Sequence, residues 1–430
     1  MKTVGFMTLG CKANQYDSEA MLEAFRRAGY APREFHEFCD VYLVNSCVVT
    51  GTGESKSMKF VRQAFRKNPG AEIIVAGCMA QQKGEKLFLP GVRLVLGNAR
   101  RGEVVALLEE AIAQGVSLCA VENLSSQPFE NLEIEASEGH SRAMLKIQEG
   151  CENHCSYCII PSVRGPLRSR PLASIRAEAR RLSGAGFFEI VATGIHLSSY
   201  GLDLRDGSTL LDAVSALHEA PGLRRIRLGS LEPGFITRES ARALSAFEKL
   251  CPQFHLSLQS GSDGVLKRMR RQYGTARFKE AVAALREFFP GCAITSDLIC
   301  GFPGESEEDF LKTLAFCQQI GFSRLHVFPY SRREGTPAAS FPGQLPKALR
   351  QARAHALIAL GEELENAYAQ SFVGKQVEVL CEEGGCGYTR EYLRLRFPPG
   401  PKPGQILRAR VLSASGPLLL GEEVPPSGPT

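Results

Sequence analysis

Cys151-Glu-Asn-His-Cys155-Ser-Tyr-Cys158 is the stretch on which the reading of this chain turns. It follows an apolar run at 143–147 and a glycine, Gly150. A loop this short can turn three sulfurs toward one place, but it offers only three thiol ligands. A closed tetrahedral zinc site needs four ligands. A four-iron, four-sulfur cube held by three thiolates leaves one iron open to a substrate or cofactor. Two blander readings stand beside it. One is a zinc knuckle with His154 as fourth ligand, which needs an awkward loop because His154 adjoins Cys155. The other is inert thiols buried as small apolar groups.

The 430 residues suggest about three domains. A 44% hydrophobic content supports sizeable cores, and a net charge of +5 is only mildly basic. The fourteen cysteines form no evenly spaced framework, so metal binding in a reducing compartment fits better than disulfides. The first nine residues read as a strand rather than a cleaved leader, and no apolar run approaches a membrane span. The expected compartment is the cytoplasm.

Residues 1–118 alternate strand candidates at 4–9, 41–45, 73–76 and 94–96 with helical patterns at 17–28, 52–67 and 101–114. That alternation predicts an open parallel α/β sheet. Cys11, Cys47 and Cys78 each fall just past a predicted strand and before a helix. The carboxyl ends of parallel strands line one edge, so these three can converge in space, where helix N-termini favour the thiolate. The alternative is three unrelated buried cysteines. Residues 119–141 carry five Glu and no Lys or Arg, which reads as an acidic, solvated linker.

Residues 142–368 hold six strand candidates, at 143–147, 188–194, 225–230, 254–258, 293–300 and 325–330, with helical stretches between them. Six βα units make a partial (β/α)6 barrel, short of the eight of a closed one. Residues 369–430 show β-type runs at 377–381, 392–397, 406–412 and 418–420, separated by Gly and Pro, which predicts a small antiparallel β-barrel. The tail at 425–430 is expected to be disordered.

These motifs together resemble one family over nearly the whole chain, the radical SAM methylthiotransferases. Thr8-Leu-Gly-Cys11-Lys-Ala-Asn-Gln-Tyr-Asp-Ser-Glu19 is similar to their N-terminal signature. Asn45-Ser-Cys47-Val-Val-Thr50 and Gly77-Cys78-Met-Ala-Gln81 are similar to its two partners, and a TRAM-like β domain completes the layout. The resemblance implies two [4Fe-4S] clusters. Cys11, Cys47 and Cys78 would hold an auxiliary one, and Cys151, Cys155 and Cys158 the one that binds and splits S-adenosylmethionine. It further implies a SAM pocket built from Gly194, Glu232, Gln259, Asp297 and Gly301; no catalytic side chain is assigned beyond the clusters. The plainer reading of those five is turn glycines and helix-capping polar groups.

Within the family, Gly10-Cys11-Lys-Ala-Asn-Gln-Tyr16 resembles the branch acting on N6-threonylcarbamoyladenosine at position 37, beside the tRNA anticodon. Alternatives are methylthiolation of isopentenyladenosine or of a ribosomal-protein Asp and, outside enzymes, a zinc-stabilised RNA-binding module. The implied reaction replaces a C–H bond on adenine by C–S–CH3. That hydrogen is not acidic, so no Asp, Glu or His removes it as a base at neutral pH. A carbon radical can take it as an atom. One SAM is then the radical source and a second the methyl donor.

The implied partners are the tRNA anticodon region and an electron-donor protein, with no DNA and no membrane. Basic clusters at 164–181 and 267–279, and the helix after Cys47, suit a phosphate backbone. Arg168, Arg170, Arg270 and Arg271 are the RNA-binding candidates, and the bland reading is a set of solvated helix faces. Tyr388, Tyr392 and Phe397 are candidates either for base stacking or for the core of the last barrel. The last 60 residues hold seven basic and six acidic side chains, so this module is not strongly cationic.

Overall fold

A computed structural model describes residues 1–132, 134, 141–397 and 401–424. The first sheet is wholly parallel, in the order Ala31–Arg33, Thr3–Thr8, Val41–Ser46, Glu72–Gly77, Val92–Leu96, Leu118–Ala120. Val41–Ser46 is buried along its whole length, as a central strand covered on both faces must be. Helix Lys12–Arg27 covers one face, and helix Gly51–Lys67 is started by Thr50, whose hydroxyl accepts the Gly53 amide at 3.1 Å. Two short strands, Ala31–Arg33 and Leu118–Ala120, form the edges of this sheet. At three residues each they are too short to show an alternating pattern.

The central region is a partial parallel barrel in two pieces. Arg225–Leu228, Glu189–Thr193 and Arg142–Lys146 form one, and Ser230–Leu231, Gln253–Leu256, Ala293–Cys300 and Arg324–Pro329 the other. The break falls at Gly229, whose amide turns back to the Ala192 carbonyl at 2.8 Å. A continuous core of Ala143, Leu145, Ile190, Ile226, Phe254, Leu298 and others lies between these strands and their helices. The helix Lys347–Gln370, unmarked in the sequence reading, closes this region against strand Arg324–Pro329.

The last region is a closed five-stranded barrel in the order Gln376–Glu382, Cys386–Thr389, Arg394–Arg396, Leu418–Glu423, Ile406–Ser415. It docks on the starting ends of the central strands. The guanidinium of Arg225 bonds Glu378 at 2.9 Å and the Tyr388 carbonyl at 2.9 Å. Arg227 bonds the Thr389 carbonyl at 2.8 Å and the Arg390 carbonyl at 2.7 Å.

The acidic connection departs from its reading as a solvated linker. Its first residues complete the N-terminal sheet, and Leu132 and Ile134 are buried with Tyr16. Glu130 pairs with the buried Arg101 at 2.8 Å. Glu130 is drawn toward the domain because the buried Arg101 guanidinium awaits it. The tail at 425–430 lies outside the described residues. Among the described residues no helix is long and apolar enough to cross a membrane.

Candidate active site: two three-cysteine sites on one cavity

Cys11, Cys47 and Cys78 all stand at the carboxyl edge of the N-terminal sheet. Cys11 is the extended residue before helix Lys12–Arg27, Cys47 follows strand Val41–Ser46, and Cys78 opens helix Cys78–Lys83. Gly77 turns the chain at φ +87°, where a side chain would collide with Asn45 and the Ser46 carbonyl. Asn14 secures this edge, donating to the Leu9 carbonyl at 2.7 Å and the Ser46 carbonyl at 3.0 Å. Cys47 and Cys78 are buried, whereas Cys11 is open to solvent inside a space walled by both domains. Burial pushes up the Cys47 thiol.

Cys151, Cys155 and Cys158 follow the short strand Gln148–Glu149. Gly150 enters this loop at φ +74°, packed so closely on Pro166 that no side chain fits. The Cys151 amide is held by the Gly165 carbonyl at 3.1 Å, and the Cys158 amide by the Cys155 carbonyl at 3.1 Å. Cys155 accepts a hydrogen bond from Nη1 of Arg271 at 3.1 Å, and Arg271 is anchored by Glu232. Burial pushes Cys151 up to about 11 and Cys158 up to about 12. His154 is exposed, turned away from its buried neighbour Cys155.

The two sites meet. A cavity of about 470 Å³ is lined by Gly10, Cys11 and Cys47 from one and by Tyr157 and Cys158 from the other, with Gln259, Asp297 and Phe328 completing it. Six thiols in two sets of three suit iron–sulfur clusters in their donor chemistry. Among the described residues no three His, Cys, Asp or Glu side chains close around a single ion.

The family described as Uncharacterized protein family UPF0004 matches residues 3–97, and the Radical SAM superfamily matches residues 145–317. The threonylcarbamoyladenosine tRNA methylthiotransferase MtaB of Bacillus subtilis is 40% identical, over 99% of this chain and 97% of its own length. The chain belongs to the radical SAM methylthiotransferases. MtaB of Thermotoga maritima is 35% identical over 96% of this chain and 95% of its own. The tRNA-2-methylthio-N(6)-dimethylallyladenosine synthase of Moorella thermoacetica is 36% identical over 98% of both. Among solved structures, the radical S-adenosylmethionine methyltransferase TsrM of Kitasatospora setae, with cobalamin and a [4Fe-4S] cluster bound, superposes with a TM-score of 0.56. At 15% identity over 79% of this chain and 77% of TsrM, it shows a shared fold.

This methylthiotransferase places its anticipated SAM residues unevenly. Gln259 and Asp297 line the cavity, and Gln259 holds a left-handed backbone at φ +71°, a costly conformation for a side-chain-bearing residue. Glu232 stands beside the Cys155 loop, between Arg271 and His196. Gly194 lies under Gln148, whose Oε1 accepts the His196 amide at 2.6 Å. Gly301 is not part of the cavity lining. It turns at φ +71° beneath Arg350 and gives its amide to Glu305 at 3.0 Å.

Three RNA-binding candidates of the methylthiotransferase require correction. Arg168 is 6% exposed and Arg170 only 2%, with Arg170 paired to the buried Glu178. Arg271 faces Cys155 and Glu232, so its charge is committed inside the site. Arg270 alone of the four is exposed. Tyr388 and Tyr392 stack on each other at 4.8 Å, with Arg142 over both rings and Arg227 over Tyr392, while Phe397 is core. These two faces are thus already occupied by guanidinium groups from the central region. Arg164, in sequence one more residue of a basic run, is fully buried against Cys78.

Proposed function

We propose that this methylthiotransferase converts N6-threonylcarbamoyladenosine at position 37, beside the tRNA anticodon, to its 2-methylthio derivative. The observation that carries the reading is the single cavity bordered by Cys11 and Cys47 on one side and Cys158 on the other. In this reading Cys11, Cys47 and Cys78 hold the auxiliary [4Fe-4S] cluster, and Cys151, Cys155 and Cys158 the radical SAM cluster. When bound, the clusters and S-adenosylmethionine supply an electron, a carbon radical, sulfur and a methyl group.

The chain's own groups do the rest. Val49, Tyr157, Ile299 and Phe328 give the cavity apolar walls that suit a flat base. Gln259 and Asp297 present polar atoms into the same space, where they orient a bound nucleoside or SAM. Arg271 keeps Glu232 in place beside the Cys155 loop. Beside Thr50 at the cavity, helix Gly51–Lys67 exposes Lys56, Lys59, Arg62, Arg66 and Lys67. Its one acidic residue, Glu54, is taken up by Lys83 and Arg333. That uncompensated face, with the exposed Arg270, offers the anticodon arm a place for its phosphates. The TRAM-like barrel, an electron-donor protein and a cytoplasmic setting complete the proposal.

The two kinds of relative make different nucleosides, and mass spectrometry of tRNA nucleosides separates them. A deletion strain is expected to lose 2-methylthio-N6-threonylcarbamoyladenosine alone and to regain it on complementation. Loss of the 2-methylthio-isopentenyl nucleoside instead would move the assignment to the dimethylallyladenosine branch. An unchanged profile of both would remove tRNA as the substrate.

A further inference from the structure

A two-residue segment touches both three-cysteine sites. Arg164 ends the short helix Ile160–Arg164, which follows the Cys151–Cys158 loop, and its side chain is completely buried. Its Nε donates to Sγ of Cys78 at 3.2 Å. Its Nη1 donates to Asp17 at 2.9 Å and to Glu149 at 2.8 Å, and its Nη2 to Asn14. The next residue, Gly165, accepts the amide of Cys151 through its carbonyl at 3.1 Å. Asn98 braces the same turn, bonding the Val163 carbonyl at 2.7 Å and reaching Cys78 Sγ at 3.7 Å. The side chain of residue 164 thus grips a thiol of one site while the backbone of residue 165 grips the other site.

Only a planar fork with several donors can serve Cys78, Asn14, Asp17 and Glu149 at once; an ammonium on a flexible stem cannot. The charge balance does not require Arg164 to touch sulfur, since Arg101 and Lys146 also pair with both Asp17 and Glu149. A guanidinium directed at a thiolate makes a charge-assisted hydrogen bond. Such outer contacts orient a ligand sulfur and raise the potential of the cluster it holds by favouring the more negative, reduced state. The Arg271 contact to Cys155 at 3.1 Å is the counterpart at the second site.

We propose that Arg164 is a positioning residue for the auxiliary site: it fixes and polarises Cys78, and with Gly165 it forms a strut that holds the two three-cysteine sites in register. This rests on the reading that Cys78 ligates the auxiliary cluster. That reading is tested separately by iron content in Cys78→Ala, where unchanged iron would defeat the ligand assignment itself.

The test is an EPR-monitored redox titration of the anaerobically reconstituted full chain, in which the signal unaltered by added SAM reports the auxiliary cluster. Arg164→Gln is expected to keep its iron and its SAM cleavage, and to move that signal to lower potential. Arg164→Lys is expected to lie between Gln and wild type. Arg271→Gln is expected to shift only the SAM-responsive signal. An Arg164→Gln protein with full iron and an unmoved auxiliary potential would overturn the proposal. Should Gln cost the auxiliary iron, Arg164→Lys decides: a lowered potential upholds the role of Arg164, and the wild-type value defeats it.

Discussion

Replacing Cys151, Cys155 and Cys158 together by alanine is expected to halve iron and labile sulfide, from about eight atoms of each per chain to about four, and to abolish cleavage of S-adenosylmethionine. The separation is expected because the other three thiols sit on different elements, in the N-terminal sheet, with their own scaffold of Asn14, Asn45 and Gly77. No protein group near the cavity substitutes for what is lost. The remaining titratable side chains there exchange protons, and the reaction needs a hydrogen atom removed from a non-acidic carbon. Iron and sulfide assays with chromatographic detection of SAM fragments read both effects. SAM cleavage that persisted in the triple variant would end the assignment of this loop.

A second large effect is expected at Asp17. Asp17 and Glu149 are 1–2% exposed and share three equally buried cations: Arg101, Lys146 and Arg164. Arg101 approaches Asp17 at 2.6 Å, and Arg164 approaches it at 2.9 Å. Asp17 and Arg101 come from the N-terminal domain, Lys146, Glu149 and Arg164 from the central one, so the network fastens one domain to the other. Burial alone would push the Asp17 carboxyl up, but Arg101, Lys146 and Arg164 together outweigh it and hold it below its ordinary value.

Asp17→Asn keeps the shape and deletes the charge, leaving cations uncompensated at a cost of about 3–5 kcal/mol. A lower denaturant midpoint at neutral pH is the expected result. The pH dependence has a definite sign. A carboxyl whose folded pKa lies below its unfolded one contributes stability above the ordinary carboxylate range, and this is lost as pH falls through the folded value. The gap between wild type and Asp17→Asn is therefore expected to narrow in acid. Equal midpoints at neutral pH would show that the network does not hold the domains.

The cysteine positions were legible because strand–helix alternation fixes which chain positions reach the carboxyl edge of a parallel sheet. Cys11, Cys47 and Cys78 each follow an apolar run, and each run is a strand. The start of the first helix was less legible: it begins at Lys12, before the apolar periodicity that marks 17–28, because Asn14 and Asp17 are turned into the protein rather than toward water. Charge runs misled for a related reason. Arg164 and Arg170 look like part of a basic stripe, but the carboxylates that neutralise them, Asp17, Glu149 and Glu178, are remote in sequence or hidden among the positives. Counting charge along the chain cannot see pairs that only the fold creates. Strand Cys386–Thr389 escaped notice because Gly387 interrupts its pattern. That glycine is needed where its partner strand passes close at Leu380 and Cys381.

If the two three-cysteine sites serve one cavity with two separate tasks, following both products in one assay with N6-threonylcarbamoyladenosine-containing tRNA separates them. The variant carrying Cys11→Ala, Cys47→Ala and Cys78→Ala, reconstituted anaerobically, is expected to cleave S-adenosylmethionine while forming no 2-methylthio nucleoside, whereas wild type does both. Methylthiolation by that variant at the wild-type rate would show that Cys11, Cys47 and Cys78 have no part in sulfur insertion.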